Sequence, residues 1–481
     1  MRIIRITTLS GPNVWSRRPV LEALVDLEEL KDSPSNTLPG LYQRLSAWLP
    51  SLIEHKCSIG ERGGFLQRVR DGTWPGHILE HVTIELQCLS GSPVVFGKAR
   101  ETATEGVYHV VVRYNEEPLA RACLTSALDL YLSAAYDRPF DVQATLAGLR
   151  SVAADARLDP EMARLAALAD ERGIPVTRLP ASEGLLLGHG IHALRVATPP
   201  QDPARTLDQA FPNGATGRIP LACVMGGRTR TAVARILADW LERSGLRTGA
   251  ASSQGLQLPG RPLRTGDGSS QACARELLRD PSVEAAVVEA SPDSVATEGL
   301  GFDRCSLAVV TGMDDTDRKA CAEADTPERL FAIQRCGVDV VLQTGAAVLD
   351  ASCPECLGMV ELSAGGVVLY AASTDEGAAV ARAREHATAS AASTDEGAAV
   401  ARAREHAAAS AASVVVERDS VLLLQGAETV LLAPASALHG HEAGSEAVSP
   451  GQVLAAVAAA TAMGIGPATI ASFLVAKGRR E

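Results

Sequence analysis

Two rhythms of apolar positions divide this chain. Ile3–Thr8 reads as a strand closed by a turn at Gly11-Pro12-Asn13. Apolar residues then predict helices near 19–30 and 39–54, a glycine-rich loop SIGERGGF (58–65), and a helix carrying GHILEHVTIEL (76–86). The run GVYHVVVRY (106–114) returns to a β period, and an amphipathic helix follows from Pro118 to Ala135. Residues 159–197 predict helix, short strand and loop, and the polar, Pro- and Gly-bearing stretch 198–217 reads as a linker. Beyond it the order is strand, glycine turn, helix, strand: IPLACVM (219–225), GGRTRTAVARILADWLERSG (226–245), EAAVVEA (284–290) and SLAVVTG (306–312). That alternation predicts a parallel sheet covered by helices.

Two stretches depart from these rhythms. Residues 371–390 recur at 391–410 with one change, Thr388 against Ala408. Two adjacent copies read as a tandem duplication of an Ala-rich helix, since a solenoid stacks three or more units. Residues 453–476 carry no charge and are long enough to span a bilayer. Gly464-Ile465-Gly466-Pro467 breaks the run, so two packed core helices are expected and no membrane span.

Composition narrows the class. With 46% hydrophobic and 21% charged residues in 481, the chain has material for several folded domains. A net charge of −12 argues against a general nucleic-acid binder, which needs a basic surface. Ten cysteines without a framework fit a reducing compartment, and a cytoplasmic location is expected.

The sharpest chemical signal is H-x-x-E-H at His77, Glu80 and His81, followed by Glu85. On a helix, His77, His81 and Glu85 share a stripe, with Glu80 one turn from His77. Two imidazoles one turn apart can hold a divalent metal, zinc above all, while the glutamate serves as general base. A catalytic zinc takes a third protein ligand. Glu54, His55 and Glu85 are the candidates; the alternative is a polar helix whose histidines are surface or capping residues. The single pair Cys353-x-x-Cys356 has no second pair at zinc-finger spacing.

Several longer strings carry a family likeness. LSGPNVWS (9–16), SNTLPGLYQRL (35–45), LPSLIEHKCSIGERGGFLQRVRDGTWPGHILEHVTIELQ (49–87) and FGKARETATEGVYHVVVRY (96–114) resemble cyanophycin synthetase, which polymerises aspartate and arginine. The resemblance implies an N-terminal domain that holds the polymer and, in some members, cuts it with a metal. It also implies an ATP-grasp domain, of which only an entry segment is recognisable here. A Mur-ligase-like domain would follow, beginning at GRIPLACVMGGRTRTAVARIL (217–237). Where that family's phosphate loop reads G-T-N-G-K-T-T, this chain has Gly226-Gly227-Arg228-Thr229-Arg230-Thr231-Ala232. Thr229 stands where a glycine lets backbone N–H groups face phosphates, and Arg230 replaces the lysine. Gly226, Arg230 and Thr231 therefore form a degenerate nucleotide site, and ATP with magnesium is a doubtful cofactor. Glu289 matches the family's metal-binding glutamate. Ser352 and Cys353, in AVLDASCP (347–354), stand where the resembling VLNADDP string has two aspartates.

The fold expected is thus α/β and multi-domain. A cyanophycin synthetase-like domain would span 1–158, an ATP-grasp remnant and linker 159–213, and a degenerate Mur-ligase-like, P-loop-type parallel-sheet domain 214–481, with the duplicated helix at 371–410. The function expected is metal-dependent hydrolysis of cyanophycin to primers. The alternatives are a pseudoenzyme that binds cyanophycin or a full-length synthetase, and a residual ATP-dependent amino-acid ligase. A homo-oligomer is expected, with no nucleic-acid or membrane partner.

Overall fold

The computed structural model describes residues 1–481 except 58–59, 181–182, 228, 314–317, 320, 372–378, 384, 386–411, 418, 427, 444–445 and 477–481. The chain forms two compact units, one from 1–10 and 18–159 and the other from 11–17 and 160–481.

The first unit is a four-stranded antiparallel sheet with helices packed on it. Its strands are β1 (Arg2–Leu9), β2 (Val20–Asp26), β3 (Gly97–Glu101) and β4 (Val107–Arg113), in the order β1-β2-β4-β3. The helix expected near 19–30 is therefore β2 followed by a 3-10 turn. As a central strand it buries Leu21, Ala23 and Val25 and also Glu22, so period-2 alternation is hidden. The helix expected at 39–54 divides into α1 (Leu41–Trp48) and a 3-10 turn Pro50–Glu54, because Pro50 lacks the N–H needed to continue. Then come α2 (Gly64–Asp71), α3 (Pro75–Leu89), α4 (Glu117–Ala135) and α5 (Val142–Ala156). Pro75 sits at the first position of α3, where a missing N–H costs nothing. Ile78, Leu79, Val82 and Leu86 of that helix join one core with Leu21, Val110, Leu124 and Leu146. Gly76 lets the start of α3 approach Tyr108 of β4, where a Cβ would lie 3.1 Å from the ring.

The second unit begins with α6 (Pro160–Glu171) and a small antiparallel sheet of β5 (Val176–Arg178), β6 (Leu185–Leu187) and β7 (Leu194–Val196). The stretch expected as a linker folds into α7 (Pro203–Ala210), whose first turn is closed by the Asp202 carboxylate accepting from Arg205 N–H at 3.1 Å. The main sheet contains β8 (Leu221–Met225), β9 (Thr248–Ser252), β10 (Gly255–Leu258), β11 (Arg261–Thr265), β12 (Ala285–Glu289), β13 (Cys305–Val310), β14 (Val341–Asp350), β15 (Gly366–Ala371), β16 (Ala412–Glu417), β17 (Ser420–Gln425) and β18 (Glu428–Pro434). Their order is β11-β10-β9-β12-β8-β13-β14-β15-β16-β17-β18. Strands from β9 through β16 in that row run parallel, and antiparallel pairs close both edges. The expected parallel sheet is thus a mixed one with a parallel centre. Its central strands are mostly apolar because both faces are covered, one core holding Cys223 and Val288 and the other Val224 and Val287.

Helix α8 (Arg230–Arg243) follows β8 directly, the strand–turn–helix that the sequence predicts. Helix Pro450–Ala462 lies buried against the sheet with Ser449 and Gln452 forming a capping box, and helix Pro467–Val475 buries only its Ile470, Phe473 and Leu474 face. No helix among the described residues is long and apolar enough to cross a membrane. Most of the duplicated segment, 372–378, 384 and 386–410, lies outside the described residues.

Candidate metal centre

Helix α3 presents His77, His81 and Glu85 toward α2 and the segment 51–57, while Glu80 packs against Gly97 of β3. Cys57, just past that turn, completes a cluster with His77 and His81 in which one ligand atom from each lies within 4.8 Å of the others. His77 Nε2 is 3.2 Å from Cys57 Sγ, and its Nδ1 is 2.9 Å from Thr73 Oγ1. Thr73 thus fixes the ring with Nε2 aimed at the cluster, as an outer-shell partner does for a ligating imidazole. Phe65 of α2 stacks on His81 with ring centroids 4.2 Å apart and meets His77 edge-on at 5.7 Å.

Behind His81 runs a polar chain. His81 Nδ1 lies 2.7 Å from His55 Nδ1, His55 Nε2 lies 2.8 Å from Glu85 Oε2, and the Ser51 hydroxyl donates to Glu85 Oε1. With Glu85 ionised and one proton on each ring, His55 Nε2–H donates to Glu85 and His55 Nδ1 accepts from His81 Nδ1–H. The lone pair of His81 Nε2 is then left for a ligand. Burial pushes the Glu85 carboxyl up, but hydrogen bonds from His55 and Ser51 outweigh it and hold the group below its ordinary value.

Electrostatics keep both imidazoles neutral, the form that binds metals. Burial lowers His77 to about 4, helped by the Arg68 charge, and lowers His81 to about 2, helped by His77, His55 and Arg68. Burial raises the Cys57 thiol and pushes Glu80 up to about 8. No side chain among the described residues hydrogen-bonds the Glu80 carboxyl. Gly97 of β3 lets the backbone lie against it, where a Cβ would be 2.6 Å from Glu80 Cγ.

Of the candidate third ligands, the structure places His55 and Glu85 behind His81. Glu54 is apart from the cluster, 61% exposed and ion-paired at 2.7 Å with Arg62. Cys57 was missed: it stands two residues after His55 in LIEHKC, and a three-residue stretch of mixed donors at a turn has no periodicity to announce it.

The second unit's loop is organised differently. Gly226 N–H donates to Gln334 Oε1 at 2.8 Å, so a backbone donor of the loop already has a partner. Arg230 donates through Nε to Glu289 Oε1 at 3.0 Å and through Nη1 to the carbonyls of Gly226 and Gly227 at 3.0 and 3.3 Å. Fully buried Glu289 also accepts from Thr231 Oγ1 at 3.0 Å and from Ser253 N–H at 2.9 Å. The glutamate expected to hold a metal holds Arg230 and two neutral donors, and the arginine expected at a phosphate bonds the loop itself.

Comparison with known proteins bears on the first unit. Residues 22–135 match the cyanophycin synthase-like N-terminal domain. The match lies within the first unit. Cyanophycin synthetase of Crocosphaera subtropica is 43% identical over 201 residues, 41% of this chain and 23% of the relative. That of Synechocystis is 42% identical over 201 residues, with the same coverage. The chain therefore spans about a quarter of the length of the curated relatives it matches. Among solved structures, a UDP-N-acetylmuramoyl-L-alanyl-D-glutamate–2,6-diaminopimelate ligase is similar with TM-score 0.37 and 14% identity, covering 56% of this chain and 48% of that one. A murein peptide ligase of Psychrobacter arcticus gives 0.32 and 13%, covering 58% and 50%. The α/β class of the second unit rests on its own strand order.

Proposed function

We propose that the cyanophycin synthetase-like unit is a metal-dependent hydrolase of an aspartate–arginine polymer of the cyanophycin type, and that the second unit is a nucleotide-independent scaffold. The observation that carries the first half is the convergence of Cys57, His77 and His81, with the Glu80 carboxyl near enough to act on the Cys57 thiol and, among the described residues, hydrogen-bonded by no side chain. The donor set fits a divalent metal of zinc type: two neutral imidazoles, one held by Thr73 and the other backed by His55, with a thiol between. When bound, such a metal supplies Lewis-acid polarisation at that position. Glu80, ionised above its raised value of about 8, would take the proton of the attacking water and return it to the leaving amine. Phe65 walls the site and limits solvent around both rings.

The second half is supported by the closed Arg230–Glu289 pair and by Gln334 on the Gly226 N–H. A polymer-binding pseudoenzyme shares that support, and a ligase working through Arg230 would have to break the pair. The test is release of soluble peptides from insoluble cyanophycin, followed by mass spectrometry with zinc-loaded protein and with Glu80→Gln and His77→Ala. Peptides lost in both variants support hydrolysis. Sedimentation with the granules and no release leaves binding alone.

A further inference from the structure

Cys353 and Cys356 lie outside both sites described above. They follow β14, at the C-terminal edge of the second unit's parallel strands, the edge where α/β sheets carry their chemistry. The turn there is tightly tied: Cys353 N–H donates to Asp350 O at 3.3 Å and Leu357 N–H to Cys353 O at 3.1 Å, so residues 353 and 356 project to one side of a helical turn.

We propose that Cys353 and Cys356 form a reversible dithiol–disulfide site, with Cys353 as the attacking thiol and Cys356 as the resolving one. Their environments differ in the way this division needs. Cys353 is half-buried, and its Sγ lies 3.3 Å from Glu355 Oε2. Cys356 is fully buried, with Sγ 3.9 Å from the Val310 carbonyl at the end of β13. The nearness of the two thiols is the largest cause that holds Cys353 below the ordinary thiol value and drives Cys356 far above it, with burial and the Glu355 carboxylate working against the lowering at Cys353. Cys223, Cys305 and Cys336 are buried with thiols raised by desolvation, which keeps them inert.

The reaction is thiol–disulfide exchange with a low-molecular-weight disulfide such as oxidised glutathione. The Cys353 thiolate attacks one sulfur, forming a mixed disulfide and releasing one glutathione thiolate, which takes a proton from solvent. Cys356 loses its proton and attacks Cys353 Sγ, releasing the second glutathione. The protein loses two electrons and two protons, and the disulfide is reduced to two thiols. Val310 is followed by Thr311, whose hydroxyl accepts from Thr229 Oγ1 at 2.7 Å, so the dithiol turn and the 226–230 loop lie at the same end of the sheet.

The experiment uses the full chain, equilibrated in oxidised and reduced glutathione, alkylated and mapped by peptide mass spectrometry. The expected result is a Cys353–Cys356 disulfide in the wild type, a glutathione adduct at Cys353 in Cys356→Ser, and no adduct at either position in Cys353→Ser. A thiol probe should label reduced Cys353 faster than Cys88, whose thiol burial raises. Wild-type Cys353 and Cys356 remaining thiols in the oxidising buffer would overturn the proposal without recourse to any variant. Equal labelling of Cys353 and Cys88, or no adduct in a folded Cys356→Ser, would overturn the assignment of the attacking thiol.

Discussion

Replacing Arg230 by Met should destabilise the second unit by about 3 kcal/mol. The guanidinium is 17% exposed and its partner Glu289 is 0% exposed. Removing one partner of a buried pair costs ~3–5 kcal/mol because the other charge is left uncompensated. Glu289 keeps its hydrogen bonds from Thr231 and Ser253, which offset part of that loss and place the effect at the lower end. Methionine retains most of the apolar stem, so packing changes little. The double variant Arg230→Met with Glu289→Gln removes the stranded charge and should recover at least about 2 kcal/mol. The assay is urea unfolding followed by circular dichroism and by fluorescence of Trp240, which is buried in α8. Arg230→Met within about 0.5 kcal/mol of wild type would refute the claim that this pair holds the loop closed.

Other outcomes follow from the same geometry. ATP with magnesium should leave the melting temperature unchanged, and a rise of several degrees in a thermal shift assay would show that the loop opens to nucleotide. Burial lowers His189 to about 4. Below its unfolded value near 6.5 the unfolded chain binds the extra proton, so stability should fall from about pH 6.5 toward 4, by about 3 kcal/mol in all. His189→Gln should flatten that part of a urea-denaturation pH profile, and an unchanged slope would contradict the burial argument. Phe65→Ala removes a fully buried ring that stacks on His81 and should cost about 3–4 kcal/mol in urea unfolding, with a weaker zinc isotherm; an intact isotherm would show that the ring does not position His81.

The histidine stripe of α3 was legible because a helix has a fixed period and Pro75 marks its start. Its environment was not. Cys57 comes from a turn, Phe65 from α2 and Thr73 from the connection between α2 and α3, and a one-dimensional pattern cannot show which side chains a fold brings beside a helix. Glu54 was a fair candidate by adjacency to His55, yet in that 3-10 turn it points to Arg62 while His55 reaches Glu85. β2 was misread because burial on both faces of a central strand removes alternation. The βαβ core of the second unit was readable from its apolar strands and glycine turn. The antiparallel edge strands β10, β11, β17 and β18 were not, since β11 is exposed throughout, β10 is buried nearly throughout, and β18 changes from exposed to buried along its length, so alternation does not mark them. The stretch 198–217 shows the opposite error: its Pro and Gly content concealed a short capped helix.

The most direct test of the central claim is the absorption spectrum of the cobalt-substituted protein. The account predicts about one tightly bound Co²⁺ per chain with a thiolate-to-cobalt charge-transfer band, lost in Cys57→Ser, and with binding weakened in His77→Ala and His81→Ala. Failure to bind cobalt stoichiometrically, or a charge-transfer band that persists in Cys57→Ser, would contradict a Cys57–His77–His81 metal centre.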